Sequence, residues 1–122
     1  MQKSRSFKEL LVWQMAHQAV LKIYRITSEF PKNEQYGLTS QFRRAAISIP
    51  ANIAEGFGKA TPKEKIQFYT YAQGSLEECK YYTFLSTELG YCSASELEND
   101  LETISKLLFA YSSKINQKLR NY

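Results

Sequence analysis

Apolar side chains recur every three or four residues through four long segments, and this spacing limits the possible folds more than any other feature of the chain. It is the spacing of one buried face of an α-helix. The predicted helices run from Glu9 to Glu29, from Thr39 to Gly56 or Gly58, from Thr61 to Leu89, and onward from residues 93–96. Because the connections are short, we expect an all-α, antiparallel up-down-up-down four-helix bundle.

Local signals set the ends of two of these helices. The hydroxyl of Thr61 and the carboxylate of Glu64 have the spacing of a capping box, which predicts the start of the third helix. Thr39 is the predicted N-cap of the second helix. Either Gly56 or Gly58 is predicted to end that helix in the left-handed conformation.

Length and composition favour a single soluble domain. The 122 residues fit one domain spanning 1–122, in which residues 1–7 form a loose arm anchored by Phe7. No window approaches the ~20 apolar residues of a membrane span, and the N-terminus lacks the apolar core of a signal peptide. Cys79 and Cys92 are not spaced as a metal or redox pair, so we expect reduced thiols in a cytoplasmic protein.

The sequence offers no residues for an active site. His17 is the single histidine, and no carboxylate or cysteine lies three or four residues from it on the predicted helix. General-base and nucleophilic catalysis both need such a positioned partner. The Glu-x-x-His pattern of di-metal bundles and the spacing of a phosphate-binding loop are also missing. We therefore predict a protein that is not an enzyme and has no catalytic residues, metal or cofactor.

The second predicted helix breaks the rules of its own pattern. The segment Leu38–Lys59 has Pro50 in its interior, where proline removes a backbone hydrogen bond and clashes with the carbonyl of Ala46. We therefore expect the second helix to be kinked at Pro50.

Polar residues near this proline have no role in an apolar core. The predicted structural motif comprises Ser48, Pro50, Asn52, Glu55 and Gly56. We expect its polar side chains to bind the carbonyls that the kink frees, or groups on the third helix. Mid-helix Gly74 and Ser75 predict a close approach of a neighbouring helix there. Direct ligand contact by the motif is the alternative.

Tyrosine is unusually common, with nine in the chain and a concentration on the third helix. A helix with aromatic residues on several faces has neighbours on several sides, and tyrosine is enriched at protein interfaces. The predicted oligomer interface comprises Tyr69, Tyr71, Tyr81 and Tyr82. The alternative is that these rings cover the edge of the core.

The formal net charge of +4 is too small to indicate nucleic-acid binding by a monomer. The candidate nucleic-acid contacts are Arg43, Arg44, Lys59, Lys63 and Lys65, with Lys3 and Arg5 in the arm. In a ring these side chains would repeat around the axis and their fields would add. An ordinary solvated basic face is the alternative.

The stretch QFRRAAISIPANIAEGFGKATPKEKIQFYTYAQGSLEE, residues 41–78, resembles the bacterial four-helix bundle protein family. These proteins are also known as proteins encoded in intervening sequences of 23S ribosomal RNA genes. The resemblance extends over residues 7–91 and implies a homopentameric ring of basic character. Related proteins are accessory factors of diversity-generating retroelements, so it also implies RNA or DNA and a reverse transcriptase as partners.

Two functions follow as hypotheses. One is a homo-oligomeric protein, expected to be a pentameric ring, that binds RNA or DNA through a repeated basic surface. The other is an oligomeric adaptor that binds another protein through the aromatic surface of the third helix and does not bind nucleic acid. Neither hypothesis involves a membrane.

Overall fold

The computed structural model describes the backbone of residues 4–120 and the side chains of residues 4–117, and this part of the chain is helical without a strand. The helices are α1 (Leu11–Thr27), α2 (Leu38–Phe57), α3 (Pro62–Glu88) and α4 (Ser95–Arg120), with short 3₁₀ turns at Phe7–Glu9 and Lys32–Glu34. The prediction of an all-α four-helix bundle is confirmed.

Each helix packs against two others, α1 with α2 and α4, and α3 with α2 and α4. Phe42 of α2 contacts Tyr82 of α3, and Gly56, later in α2, contacts Tyr69, earlier in α3. Contacts in this reversed order are those of an antiparallel pair. The fully buried core is lined by Ala16, Ile23, Phe42, Ala46, Ile49, Ile53, Ala72, Leu76, Cys79, Leu101, Ile104 and Leu108. The up-down-up-down order of all four helices remains a prediction.

Helix α3 begins as its local signal predicts. Thr61 is the N-cap, its hydroxyl oxygen accepts from the backbone N–H of Glu64 at 3.2 Å, and Pro62 is the first helical residue. After its last turn the chain reverses through Gly90, which has φ +77°. This is the left-handed conformation that favours glycine.

The predicted ends of α2 are wrong in detail. Gly37, not Thr39, is the N-cap, and Thr39 is a buried residue of the first turn. The side chain of Glu34 accepts from the N–H of Leu38 at 3.3 Å, so this free donor is satisfied from the preceding connection. Gly58 follows the helix with φ −78° and ψ −6°, which is right-handed rather than left-handed.

Residues of the predicted arm make defined contacts before α1. Ser6 caps the first 3₁₀ turn by accepting from the N–H of Lys8, and the backbone N–H of Arg5 donates to Glu9 at 2.7 Å. Phe7 packs on Trp13 with ring centroids 5.0 Å apart. Lys3 lies outside the described residues. Among the helices the structure describes, none is long and apolar enough to cross a membrane.

Candidate nucleic-acid interface

The polar residues around Pro50 form a small hydrogen-bond network between α2 and α3. The Asn52 amide donates to the carbonyl and the hydroxyl oxygen of Ser48 at 2.8 and 2.9 Å. The Ser75 hydroxyl, on α3, donates to the Ser48 hydroxyl oxygen at 2.8 Å. The network is partly buried, and it gives Ser48 and Asn52 the structural role that the sequence favours.

Two members of the predicted motif differ from this pattern. Glu55 is exposed and lies 3.9 Å from the amine of Lys59, outside the network. Pro50 is buried within α2, which continues without interruption from Leu38 to Phe57. A bend of the helix at Pro50 remains a prediction.

Helix α2 approaches α3 most closely at Gly56, and of the predicted contact residues Gly74 and Ser75 only Ser75 contacts α2, through its bond to Ser48. A Cβ atom at Gly56 would lie 2.7 Å from Cε1 of Tyr69, whereas one at Gly74 would meet nothing within 4 Å. Tyr69 is therefore a core residue with 4% exposure, and its assignment to an oligomer interface is wrong. The space left by Gly56 admits its ring to the core. Burial raises the pKa of the Tyr69 phenol.

Arg43, a predicted nucleic-acid contact, is held against the end of α1. Its Nε donates to the hydroxyl oxygen of Thr27 at 2.8 Å, and Nη2 donates to the carbonyl of Tyr24 at 3.2 Å. The guanidinium carbon lies 4.5 Å from the centre of the Tyr24 ring, a cation–π distance. Arg43 thus links α2 to α1. Three of its five N–H donors remain available to another ligand.

Lys65 is similarly held, at the end of α2. Its amine donates to the carbonyls of Gly56 and Phe57 at 3.2 and 2.8 Å. These are carbonyls of the last turn, which have no partner within the helix. Burial lowers the pKa of Lys65. Its amine therefore serves as a C-cap for α2, not as a freely exposed cation.

Arg44 and Lys63 are exposed, and neither has a hydrogen bond or ion pair with another described side chain. Lys59 is partly buried. Its amine lies 3.9 Å from the Glu55 carboxylate and 5.0 Å from the centre of the Phe68 ring. The arginines lie in the first half of α2 and the lysines at the α2–α3 junction. At 1.5 Å per residue, roughly 20 Å of helix separates the two groups. A single subunit does not bring them together.

A family model described as 23S rRNA-intervening sequence protein matches residues 8–110. The chain belongs to this family. A crystal structure of a protein of unknown function from the S23 ribosomal protein family of Bacteroides thetaiotaomicron has a similar fold, with a TM-score of 0.77. The two are 20% identical, and the alignment covers 84% of this chain and 96% of the other. The search of curated proteins gave no match.

The remaining predicted interface tyrosines of this family member are accessible to different extents. Tyr71 and Tyr81 are exposed, whereas Tyr82 is half-buried against Phe42. Phe84, which the sequence places on the aromatic surface of the third helix, is 59% exposed. Sequence reasoning missed Phe109, which is 70% exposed, although its position outside the apolar stripe of α4 was a signal that it would face outward.

Sequence reasoning also missed an uneven charge distribution. Residues 1–65 contain eleven Lys and Arg against five Asp and Glu, whereas residues 66–122 contain five against seven. The basic half comprises α1, α2 and the first turn of α3. The positive charge is therefore concentrated on one half of the bundle, although the whole chain carries only +4.

The described residues contain no group of three or more His, Cys, Asp or Glu side chains that could hold a metal ion. Burial raises the pKa of the Cys79 thiol to about 12, so it stays protonated near neutral pH. Cys92 is half-buried and free.

Proposed function

We propose that this protein is a non-enzymatic, cytoplasmic homo-oligomer that binds RNA or DNA through the basic half of its surface. The proposal rests on one observation: Arg44 and Lys63 are exposed and have no acidic partner among the described residues. Unpaired cations are the groups that bind phosphates and release counterions.

Self-association is part of the same proposal. One subunit holds the arginine and lysine groups roughly 20 Å apart, so its contacts with a polyanion are few. A closed ring, with five subunits as our expectation, repeats each group around one axis and adds their fields. Exposed Tyr71 and Tyr81 support such an assembly, because large aromatic side chains are enriched in interfaces.

The pairs Arg43–Arg44 and Lys63–Lys65 provide the test. In each pair one side chain is exposed and the other is hydrogen-bonded to the protein. Lys63→Gln and Arg44→Gln should each weaken binding of a fluorescein-labelled RNA, measured by anisotropy at ~50 mM salt, and leave the free energy of unfolding unchanged. Lys65→Gln should instead lower that free energy by about 0.5–1.5 kcal/mol, since it removes hydrogen bonds to the end of α2.

A matched control separates charge from stability. Lys106, exposed on α4 in the other half of the molecule, is replaced by Gln with the same change in net charge. Lys106→Gln should leave RNA binding close to wild type. Equal losses for Lys63→Gln and Lys106→Gln would show that net charge alone governs binding, which contradicts a basic half that serves as the site.

The second candidate is an adaptor that binds another protein, with a reverse transcriptase as one expected partner. Exposure of Tyr81, Phe84 and Phe109 favours it, because rings this exposed are enriched at binding surfaces. A partner retained after RNase and DNase treatment, and lost with Phe84→Ser, would support the adaptor. Loss of every partner on nuclease treatment would favour nucleic acid instead.

A further inference from the structure

We propose that the exposed face formed by α1 and α2 binds single-stranded nucleic acid, with unpaired bases stacking beside Trp13 and His17. This inference rests on the proposed function and names the class of its ligand. It concerns a face that sequence reasoning did not select, since His17 was considered only as a catalytic base.

The aromatic arrangement on α1 is the first observation. The rings of Trp13 and His17 are nearly parallel, with centroids 5.1 Å apart and an interplanar angle of 6°. Phe7 also packs on Trp13, with ring centroids 5.0 Å apart and an interplanar angle of 59°. All three side chains are only half-buried. A flat ring whose orientation is fixed by a stacked neighbour is suited to accept a further planar group.

The apolar surface continues along the same helix face. Leu21 and Tyr24, which follow His17 by four and seven residues, are 39% and 38% exposed. On α2, four residues after Arg43, Ile47 is 44% exposed. From Trp13 to Tyr24 the row extends roughly 16 Å along α1. Its length suits an extended strand better than a single base.

Charge complementarity identifies the occupant as an anion. Helix α1 contains no Asp or Glu from residue 11 to residue 27. Exposed Arg5 and Lys8 lie at the Phe7 end of the row, and Arg43, whose guanidinium carbon is 4.5 Å from the centre of the Tyr24 ring, lies at the Tyr24 end. An apolar row with cations at both ends matches the bases and phosphates of one strand.

Two carboxylates lie close to the Phe7 end, and neither reverses this pattern. Glu9 accepts from the backbone N–H of Arg5. The Arg5 guanidinium itself has no acidic partner among the described side chains. Glu55 lines the cleft beside Phe7 together with Lys59, and the two side chains offset each other's charge.

The stacking surface selects single strands over duplexes. Paired bases are stacked within the duplex, so their faces are not accessible to a protein ring, whereas unpaired bases stack on aromatic side chains regardless of sequence. A duplex would contact only the cations at the two ends of the row. The predicted preference is therefore for single-stranded RNA or DNA of any sequence.

The single tryptophan of the chain provides a direct probe. The full-length protein is titrated at ~50 mM salt with a 12-nucleotide oligouridylate, with the matching oligothymidylate, and with a 12-base-pair RNA duplex. We expect both single strands to quench the fluorescence of Trp13 and to bind at least tenfold more tightly than the duplex. His17→Ala should weaken single-strand binding by about 5- to 150-fold, the range for loss of one stacking contact.

A substitution that keeps the ring makes the test specific to stacking. His17→Phe should retain most of the affinity, and the thermal midpoint of each variant shows whether it is folded. Two results would overturn the inference and leave the proposed function intact: duplex bound as tightly as single strands, or unchanged single-strand affinity in folded His17→Ala. Failure of the protein to bind any of the three oligonucleotides would overturn both proposals.

Discussion

At the scale of single residues, glycine positions determine how closely the helices approach. Gly56→Ala would place a methyl group 2.7 Å from the Tyr69 ring, and the ring would have to move. We expect the variant to lower the free energy of unfolding by about 1–3 kcal/mol, the usual cost of overpacking a core. Urea denaturation followed by circular dichroism measures this loss.

The matched control is Gly74→Ala, on the exposed face of α3. Nothing lies within 4 Å of the added methyl group, so the substitution should raise the free energy of unfolding by about 0.5–1 kcal/mol, since alanine favours the helix. If both variants changed stability in the same direction, the contact between Gly56 and Tyr69 would not be the cause.

Several residue-scale errors of the sequence-based prediction have a common origin. Tyr69 is buried and does not lie in an interface, because a glycine 13 positions away on another helix leaves space for its ring. The N-cap of α2 depends on a glutamate from the preceding connection. Arg43 and Lys65 bind carbonyls near the ends of neighbouring helices. Helical periodicity describes one helix at a time and contains no information on such contacts.

At the scale of helices, the bond between Ser48 and Ser75 links α2 to α3. Ser48→Ala and Ser75→Ala each remove this bond, so the double variant should lose less than the sum of the single losses. We expect a coupling of about 0.5–1.5 kcal/mol, the net value of one partly buried hydrogen bond. Urea denaturation of the four proteins in a double-mutant cycle measures it.

A second cycle controls for general effects of removing hydroxyls. Thr103, on α4, donates to the carbonyl of Asn99 within its own helix and does not contact the network. Ser48→Ala and Thr103→Ala should therefore be additive within about 0.5 kcal/mol. Coupling of the same size in both cycles would contradict a specific link between Ser48 and Ser75.

Ion pairs attach α4 to both of its neighbours and predict the response of the bundle to acid. Lys22 of α1 donates to Glu96, and Lys80 of α3 donates to Glu102, at 2.6 and 2.9 Å. These hydrogen bonds lower the pKa of both carboxyl groups from 4.5. Since the folded-state pKa is the lower one, the stabilisation is complete above about pH 4.5 and is lost as the pH falls through the folded value.

The measurement is the thermal midpoint between pH 7 and pH 3. Below pH 4.5 the thermal midpoint of wild type should fall further than that of the Glu96→Gln, Glu102→Gln double variant, which has already lost the two pairs. The Lys22→Met, Lys80→Met variant should also show a smaller decrease than wild type, because it removes these partners together with the pairs of Lys22 with Asp100 and of Lys80 with Glu77. A decrease as large as that of wild type in either variant would contradict this assignment.

Helix-scale features were predictable where the signal is local. The N-cap at Thr61 needs only four consecutive residues, and the structure confirms it, although the Glu64 carboxylate accepts from the Thr61 hydroxyl rather than from its backbone N–H. The four helices follow from their periodicity in the same way. The sequence left two kinds of partner open for Ser48, the carbonyls freed by the kink or groups on the third helix, and the structure gives it Ser75 of α3.

At the scale of the whole molecule, the exposed aromatic side chains predict self-association. Light scattering at micromolar concentration should give a mass near 70 kDa, as expected for five subunits of 14.1 kDa. Tyr81→Ser should reduce this mass, since it removes an exposed ring from α3. Tyr36→Ser, at a tyrosine that is 90% exposed in the α1–α2 connection, should not. A 14 kDa species in the wild type would contradict the assembly.

The basic half of the molecule was not predictable from the overall charge. A net charge of +4 describes a mildly basic protein, and it conceals that the cations lie mainly before residue 66. Which cations are exposed was also beyond the sequence. Arg43 and Arg44 are neighbours on one helix, yet only Arg43 reaches the end of α1, because successive helical residues face different directions.

Binding of nucleic acid by this basic half is the central claim, and its salt dependence is the most direct test. Anisotropy of a labelled 12-nucleotide RNA is measured from ~50 to ~200 mM salt for wild type and for the Arg44→Gln, Lys63→Gln double variant. Wild-type affinity should fall steeply, and the variant should show a shallower slope of log affinity against log salt, because fewer phosphates are neutralised. An affinity that does not change with salt, or no binding at ~50 mM, would contradict the claim.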